Sequence, residues 1–401
     1  MEISPKYLVM ITAENNNKFY RMIPEGNNFK VEFGRLGNTS FQTTSYPISQ
    51  FEKKYKEKIK KGYVDNSDLI KDTIEEEEEE ETTPEENNPI AIIVKRLQEL
   101  AKQVIRKNYK ISSTKVTQAM IDQAQDVLTK MVEVTEIEEI NKLLLELFGI
   151  IPRKMHQVRY YLANNSEDIP KIIQREQDLL DVMSGQIYKK PKKKKTDSPI
   201  ISYQKELEEL GLTFEETTEE DVKLIKKMLG DQKNKYYNSW KITNNHTQER
   251  FDNFVKENKI KTNKLLWHGS RNENFWNIIK SGLLLRPTNV VITGKMFGYG
   301  SYFATSAGKS VGYCSLSGSR WASGTDDFGF LALFEVAYGT PFVVYDFDSR
   351  YYGLNYEKLQ EFQPGANSLH AKKDKGMLRA DEIVIYKEEQ MTIKYLVEIR
   401  R

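Results

Sequence analysis

The sequence contains a single cysteine, Cys314, and four histidines among its 401 residues. One cysteine excludes a disulfide framework and the zinc modules that need several cysteine ligands, so we expect no metal site and a reducing compartment. No apolar run approaches the roughly 18 residues of a membrane span, and the first residues do not follow a signal-peptide pattern. We therefore expect a soluble intracellular protein with no membrane contact.

Neither sign of charge is in excess. The chain has 60 basic and 58 acidic residues, a net charge of +2. Any affinity for nucleic acid must therefore come from local patches and not from a global field. Hydrophobic residues make up 39% of the chain, which is enough for buried cores, and the length favours roughly two to four domains.

Two low-complexity segments divide the chain. Residues 67–88 include seven consecutive glutamates at 75–81. Like charges at every position repel one another and bury nothing, so this segment is predicted to be a disordered acidic linker. The basic segment at 189–199 begins KKPKKKK. It is either a solvated hinge or a nuclear-import signal, because import receptors engage a basic cluster beside a proline. On the second interpretation, the expected localisation is the nucleus.

The N-terminal part, residues 1–66, alternates between apolar and polar residues. This alternation predicts strands at 7–11, 18–22 and 29–33, separated by turns rich in asparagine and glycine. A lysine-rich helix is predicted to close the segment at 51–63. The N-terminal part should therefore form a small β-rich domain.

The pattern changes to a helical period in residues 89–188, which predicts an all-α helical bundle. The apolar stripes run through Ile93, Leu97, Leu100 and Val104; Ile121, Ala124, Leu128 and Met131; Ile137, Ile140, Leu144 and Leu147; and Ile172, Ile173, Leu179, Leu180 and Met183. From about residue 200 the pattern is mixed. Helical signals dominate up to Lys264, and apolar strands are predicted at 328–336, 341–345, 381–386 and 391–399.

Two blocks in the C-terminal part point to chemistry. In residues 265–282 an apolar run ends at His-Gly-Ser (268–270), and an amphipathic stretch follows until Gly282. A buried strand would thus end in a histidine and a glycine whose backbone no side chain covers. Small-molecule sites are often built at such strand ends. The second block, residues 293–304, reads TGKMFGYGSYFA and leads into GKSVGYC at 308–314.

Neither block is one of the common phosphate-binding loops. Phe303 occupies the position of the first glycine that a P-loop ending at 308–310 would require. The same residue occupies the third glycine position of a dinucleotide fingerprint that begins at 298–300. If the protein binds NAD, it does so without a Rossmann turn.

The two blocks resemble the catalytic domain of the DNA-damage-dependent poly(ADP-ribose) polymerases, nearly residue for residue and with the same spacing. Residues 33–37 (FGRLG) and 41–47 (FQTTSYP) likewise resemble a WGR domain, a small nucleic-acid-binding module. Phe33 takes the place of the tryptophan that gives this domain its name. By its position, the helical segment resembles the regulatory domain that precedes the catalytic domain in DNA-dependent members.

The resemblance implies an α+β multidomain protein with three folded parts. A small β-rich WGR domain at 1–66 would be followed by the acidic linker, the all-α helical regulatory domain at 89–188 and the basic linker. The catalytic domain at 200–401 would have the ADP-ribosyltransferase fold, a split antiparallel sheet. NAD+ would bind in its cleft as a substrate, with no permanently bound cofactor.

The same resemblance implies how the nicotinamide ring, a flat cation with one carboxamide, would be bound. Gly269 would offer its backbone N–H and C=O, because no side chain obstructs the approach. The Ser310 hydroxyl would donate to the amide oxygen. Tyr302 and Tyr313 would sandwich the ring, where cation–π attraction contributes about 0.5–2 kcal/mol.

Other positions match residues that contact the rest of the substrate and the DNA. His268 matches the family residue that holds ribose hydroxyls, and Ser270 and Asn274 match positions on the adenosine side of NAD+. Arg35 lies on a glycine-flanked turn and is the candidate contact for a DNA phosphate.

Glu382, in the segment DEIVIY at 381–386, matches the catalytic carboxylate of the family. A negative charge there would stabilise the oxocarbenium-like centre that forms when the nicotinamide–ribose bond breaks, and the carboxylate could activate the incoming hydroxyl as a general base. Lys309 either positions this carboxylate or the substrate phosphates, or is an exposed helix residue. The implied catalytic set is His268, Tyr302 and Glu382.

The leading hypothesis is a poly(ADP-ribose) polymerase. It would transfer ADP-ribose from NAD+ to protein acceptors, including itself, and to growing chains with release of nicotinamide, and damaged DNA would stimulate it. One alternative is a mono-ADP-ribosyltransferase, and another is a DNA-end-binding scaffold with a vestigial transferase domain. The intact catalytic set argues against the scaffold and permits polymer synthesis without proving it.

Overall fold

A computed structural model describes residues 3–36, 40–67, 88–109, 116–187, 203–286, 296–373, 378 and 380–401. These residues divide into two compact units. The first unit contains the described residues up to 67 together with those from 102 to 187, and the second contains residues 88–101 together with those from 203 onward. No helix within these ranges is long and apolar enough to span a membrane.

The helices of the described residues are α1 (Phe51–Lys60), α2 (Pro89–Asn108), α3 (Gln118–Met131), α4 (Ile137–Ile150), α5 (Ile169–Gln186), α6 (Tyr203–Glu209), α7 (Glu219–Leu229), α8 (Asn245–Glu257), α9 (Phe275–Ser281), α10 (Ala307–Val311) and α11 (Tyr356–Phe362). The strands are β1 (Lys6–Ile11), β2 (Asn17–Glu25), β3 (Asn28–Arg35), β4 (Gln42–Pro47), β5 (Val64–Asp65), β6 (Leu212–Glu216), β7 (Tyr236–Asn244), β8 (Lys264–Gly269), β9 (Ser301–Ala304), β10 (Phe328–Val336), β11 (Pro341–Val344), β12 (Ser368–Ala371), β13 (Glu382–Ile385) and β14 (Met391–Arg400).

The first unit begins with an antiparallel sheet whose described strands follow the order β4-β3-β2-β1-β5. The three strands predicted from the alternation are confirmed as β1, β2 and β3, and the lysine-rich helix is confirmed as α1. Leu8, Met22 and Phe29 are fully buried on one face of the sheet, and Phe51 of α1 covers them. The alternating pattern thus produces one buried face. Val9 of β1, which points to the opposite face, is buried as well.

The helices α3, α4 and α5 form the rest of the first unit and confirm three of the predicted apolar stripes. Leu128, Leu144 and Met183, one from each helix, are fully buried. An ion pair also lies inside this part, because Arg153 Nη1 lies 2.8 Å from Glu176 Oε2 with both side chains almost fully buried. The apolar pattern gave no indication of this pair, which joins charged residues from two separate segments.

Helix α2 is divided between the two units. Ile93, Val94 and Leu97 are buried in the core of the second unit, whereas residues 102–108 belong to the first. Arg96 fixes this half of the helix, since its guanidinium donates to both carboxylate oxygens of the buried Glu398 at 2.7 and 3.3 Å.

The second unit is built on a sheet whose described strands follow the order β11-β12-β13-β9-β8-β10-β14-β7-β6. Neighbouring strands are antiparallel except for β11 and β12, which are parallel. The four apolar strands predicted after Lys264 are confirmed as β10, β11, β13 and β14. The expectation of mainly helical structure before Lys264 was wrong for β6 and β7, whose partly exposed residues gave no continuous apolar run.

The sheet is split at its centre, as the resemblance implied. Strands β8 and β9 meet where Trp267 pairs with Ala304, whereas β8 and β10 pair along the whole of β8. The backbones of β8 and β9 therefore separate next to this pair, and the residues that follow Trp267 lie at the resulting opening.

Candidate active site

Strand β8 carries His268 at the opening between the two halves of the sheet. Leu266 and Trp267 before it are buried, and they anchor the strand. The imidazole Nδ1 lies 3.1 Å from the backbone oxygen of Tyr302 on β9. Because a carbonyl oxygen only accepts, this contact places a proton on Nδ1 and makes Nε2 an acceptor when the ring is neutral.

Gly269, the next residue, lies directly against Ser310 of α10. A β-carbon built on Gly269 would be 2.0 Å from the Ser310 backbone oxygen, so a side chain at this position would force the two backbones apart. Ser310 itself is buried. The structure thus brings together the two residues predicted to bind the carboxamide, and it requires glycine at one of them.

Tyr302 on β9 is held through its phenol group. Its hydroxyl accepts from the Phe297 N–H at 3.0 Å and donates to the Gly298 oxygen at 3.1 Å. Burial raises the pKa of Tyr302, the Phe297 hydrogen bond opposes this, and the charge of Glu382 adds to it. The hydroxyl is therefore a fixed, neutral group, and it is the ring of Tyr302 that the predicted sandwich would use.

Tyr313 follows α10 and is 39% exposed. Partial burial, reinforced by the charge of Glu382, raises its pKa to about 12. The ring is therefore neutral at physiological pH. A neutral, partly exposed aromatic ring is suited to stack on a flat cation.

Glu382 begins β13, beside β9, and is buried with 6% of its surface exposed. Lys309 of α10 places its Nζ 2.8 Å from Glu382 Oε1, and both side chains are largely buried. Burial raises the pKa of Glu382, and the Lys309 ammonium opposes that rise. The alternative that Lys309 is an exposed helix residue is therefore wrong. The structure shows Lys309 in contact with the Glu382 carboxylate.

The neighbouring Asp381 belongs to a separate hydrogen-bonded group. Its carboxylate contacts His370 Nε2 at 2.9 Å, Lys372 Nζ at 3.1 Å and the Lys373 N–H at 3.0 Å. Although burial acts to raise the pKa of Asp381, these hydrogen bonds lower it to about 2. The His370 Nδ1 in turn lies 2.7 Å from the Tyr338 hydroxyl. Asp381, which directly precedes β13, and Glu382, the first residue of β13, therefore have different partners.

The turn after β8 contains a buried residue that the sequence did not identify. Asn272 is fully buried, its Oδ1 accepts from the Phe330 N–H, and its Nδ2 donates to Asp326 at 3.0 Å. Ser270 and Asn274 are joined to each other, since the Asn274 Nδ2 donates to the Ser270 Oγ at 2.9 Å. Asn272 thus fixes the turn on which both predicted adenosine contacts lie. Because it stands in a polar run, the sequence gave no indication that this residue is buried.

The candidate nucleic-acid contact, Arg35, lies in the first unit at the end of β3. Its Nη2 donates to the Oδ1 of Asn15, in the turn between β1 and β2, at 3.2 Å. Phe33 is partly buried and packs against the core of the WGR-like sheet, with its ring centroid 6.0 Å from that of Tyr20. The aromatic residue that replaces the expected tryptophan therefore supports the sheet beside Arg35.

The second unit therefore places the backbone of Gly269 next to the buried hydroxyl of Ser310. It also contains the neutral phenol rings of Tyr302 and Tyr313 and the buried Glu382 carboxylate paired with the Lys309 ammonium group. This set can bind a flat carboxamide and stabilise a positive charge that develops beside it. The roles of the individual residues stay predictions.

Residues 218–401 match the family model of the poly(ADP-ribose) polymerase catalytic domain, and residues 5–69 match that of the WGR domain. The putative poly [ADP-ribose] polymerase-like protein 100L of Invertebrate iridescent virus 6 is 32% identical over 174 residues, which cover 42% of this chain and 88% of the viral protein.

Two plant poly [ADP-ribose] polymerases match this chain over different lengths. Poly [ADP-ribose] polymerase 2 of Arabidopsis thaliana is 31% identical over 169 residues, 37% of this chain and 26% of the plant protein. Poly [ADP-ribose] polymerase 2-A of Oryza sativa subsp. japonica is 23% identical over 343 residues, 77% of this chain and 50% of the rice protein.

Proposed function

This chain belongs to the poly(ADP-ribose) polymerase family, and we propose that it is a polymerase that DNA breaks stimulate. Its catalytic domain is an NAD+ ADP-ribosyltransferase, and its WGR domain is a nucleic-acid-binding module. The proposal adds three properties: growth of ADP-ribose chains, protein acceptors that include the enzyme itself, and stimulation by damaged DNA.

The single observation that carries the proposal is the buried pair of Glu382 and Lys309 at the opening of the split sheet. A buried carboxylate tends to bind a proton, and an ammonium group 2.8 Å away favours the ionised form. Glu382 can therefore present a negative charge in a site largely shielded from water, where such a charge stabilises a cationic transition state most strongly.

The reaction needs this charge when the bond between nicotinamide and ribose C1′ breaks. The electron pair of that bond leaves with the nicotinamide nitrogen, so neutral nicotinamide departs and positive charge develops on the ribose. A hydroxyl or carboxylate oxygen of the acceptor then forms the new bond to C1′. Glu382 stabilises the ribose cation and accepts the proton of an attacking hydroxyl, which it passes to solvent.

Substrate binding in this proposal uses the residues on both sides of the opening. Gly269 and Ser310 bind the carboxamide, the rings of Tyr302 and Tyr313 enclose the nicotinamide, and His268 donates to or accepts from ribose hydroxyls. Ser270 and Asn274 contact the adenosine end of NAD+. Chain growth follows when the acceptor hydroxyl belongs to an ADP-ribose unit that is already attached.

DNA stimulation is assigned to the WGR domain and to the helical region. Arg35 would contact a DNA phosphate, and helices α3, α4 and α5 would restrain the catalytic domain when no DNA is bound. A 100-fold activation corresponds to about 2.7 kcal/mol, so a modest difference in stability between two states is sufficient. The nuclear localisation that we also propose depends on residues 189–195, which lie outside the described residues.

The proposal is tested by incubating the protein with labelled NAD+, with and without nicked DNA. A ladder of labelled products that strengthens with nicked DNA supports a DNA-stimulated polymerase. A single labelled band indicates a mono-ADP-ribosyltransferase, and no label indicates a scaffold. Glu382→Gln is the matched control, because it keeps the size and hydrogen bonding of the side chain but removes its charge.

A further inference from the structure

Beside the predicted nicotinamide site lies an exposed aromatic ring in the loop that follows α10. Trp321 stacks on Tyr313, with ring centroids 4.7 Å apart and ring planes inclined by 19°. Trp321 is 47% exposed, whereas the other tryptophans, Trp240, Trp267 and Trp276, are buried. Trp321 is thus the one tryptophan whose ring lies at the surface and stacks on a residue predicted to bind the substrate.

The backbone of Gly312 holds Trp321 against Tyr313. The backbone N–H groups of Trp321 and Ala322 both donate to the Gly312 oxygen, at 2.8 and 3.1 Å. A β-carbon on Gly312 would lie 2.3 Å from the Trp321 ring atoms Cε3 and Cζ3. Glycine at this position is therefore what allows the indole ring to lie where it does.

The loop is also closed at its base. Asp326 donates its N–H to the Ser315 oxygen at 3.0 Å, and its backbone oxygen accepts from the Ser317 N–H at 2.7 Å. The Asp326 side chain accepts from the buried Asn272, which fixes the turn after β8. The Trp321 loop and the strand end that carries Gly269 are thus joined through Asn272, which also donates its backbone N–H to the Ser315 Oγ.

We propose that Trp321 is a positioning residue of the nicotinamide site: it covers one face of Tyr313 and fixes that ring so that the opposite face receives nicotinamide. The inference rests on the proposed role of Tyr313 in binding NAD+. A ring already held in one orientation loses less side-chain entropy when the ligand binds. Stacking on the indole supplies this restraint without any contact between Trp321 and the reacting atoms.

The first test is Trp321→Leu, with two readouts. Nicotinamide affinity is measured by titration calorimetry, which does not depend on turnover, and kcat and KM for NAD+ are measured separately. We expect the nicotinamide Kd and the KM to rise about 3- to 10-fold, the effect of losing an aromatic pair, with kcat within about 2-fold of wild type. Trp321→Phe keeps a stacking ring and should restore most of the affinity.

A second variant tests the same contact from the other side. Gly312→Ala should displace the indole and raise the nicotinamide Kd as Trp321→Leu does. The double variant should raise it no further, because the added methyl group then meets no ring. Tyr237→Leu is the matched control: it removes another half-exposed aromatic of the same unit, one that contacts Arg400, and should leave both constants unchanged.

The outcomes separate this inference from the proposed function. Wild-type protein that binds nicotinamide with an affinity unchanged in Trp321→Leu overturns the positioning role and leaves the proposed function intact. A fall in thermal stability and kcat at constant Kd also overturns it, because the loop would then be only structural. Wild-type protein that neither binds nicotinamide nor consumes NAD+ contradicts both.

Discussion

Replacing Lys309 with methionine removes the ammonium group that lies 2.8 Å from the buried Glu382 carboxylate. At an effective dielectric constant of about 20, the attraction across this distance is about 6 kcal/mol, and the loss of one partner of a buried pair generally costs about 3–5 kcal/mol. A carboxyl group avoids much of this cost by binding a proton. The substitution should therefore raise the pKa of Glu382 beyond the rise that burial already causes.

The predicted consequence is a shift in the pH dependence of the reaction. In the proposed mechanism only ionised Glu382 stabilises the ribose cation, so activity should fall as the pH drops through the pKa of this residue. A higher pKa in Lys309→Met moves that acid limb to higher pH. At pH values below the pKa of Glu382 in both proteins, the rate should fall by up to about 10²- to 10⁴-fold, the equivalent of about 3–5 kcal/mol, and the deficit should shrink as the pH is raised.

The assay is kcat for release of nicotinamide from NAD+ across the pH range in which the wild-type protein stays folded. Lys309→Arg keeps a cation and should retain an acid limb close to that of wild type. Lys394→Met is the matched control, because it breaks an ion pair of the same unit, with Glu335 at 3.2 Å, outside the site. A uniform fall in rate at every pH, together with a raised KM for NAD+, would refute the reasoning and indicate that Lys309 acts on the substrate phosphates.

Three further predictions concern chemistry, DNA and regulation. Glu382→Gln should nearly abolish chain elongation with little change in NAD+ affinity; an affinity loss as large as the rate loss would assign Glu382 to binding. Arg35→Glu should weaken nicked-DNA binding and reduce DNA stimulation several-fold while DNA-free activity stays constant, as an anisotropy titration and a rate assay would show; unchanged stimulation would remove Arg35 from the interface. Leu128→Ala, at a fully buried position, should destabilise the helical part by about 2–5 kcal/mol and raise DNA-free activity. A lower melting temperature with an unchanged basal rate would reduce this part to a spacer.

Much of the fold could be predicted because hydrophobic period is a local property. The run at 328–336 is apolar except for Glu335 and is observed as β10, an interior strand of the sheet. The stripes of α3, α4 and α5 likewise follow the helical period, and their apolar faces are buried. Strand β7 was missed because only part of each of its faces is covered, so exposed residues interrupt the pattern.

The sequence by itself determined which residues could take part in the chemistry. His268, Gly269 and Ser270 are consecutive, and Tyr302, Ser310 and Tyr313 lie within one short segment, so the blocks could be recognised from the order of residues alone. Glu382 was located in the same way, at the start of an apolar strand. The local order also predicted separate surroundings for Asp381 and Glu382, and the two carboxylates do have different partners although Asp381 lies just before the strand.

Only the tertiary structure decided which of these residues meet. Lys309 reaches Glu382 because β13 pairs with β9, the strand that precedes α10. Trp321 reaches Tyr313 because the loop folds back onto Gly312, and Asn272 becomes a buried anchor through partners more than forty residues away. The physical reason is that hydrophobic period specifies which face of an element is buried but not what it is buried against. The partner of a charged or aromatic side chain depends on the order of the strands and on where the chain reverses direction. Neither property can be read from any single segment of the sequence.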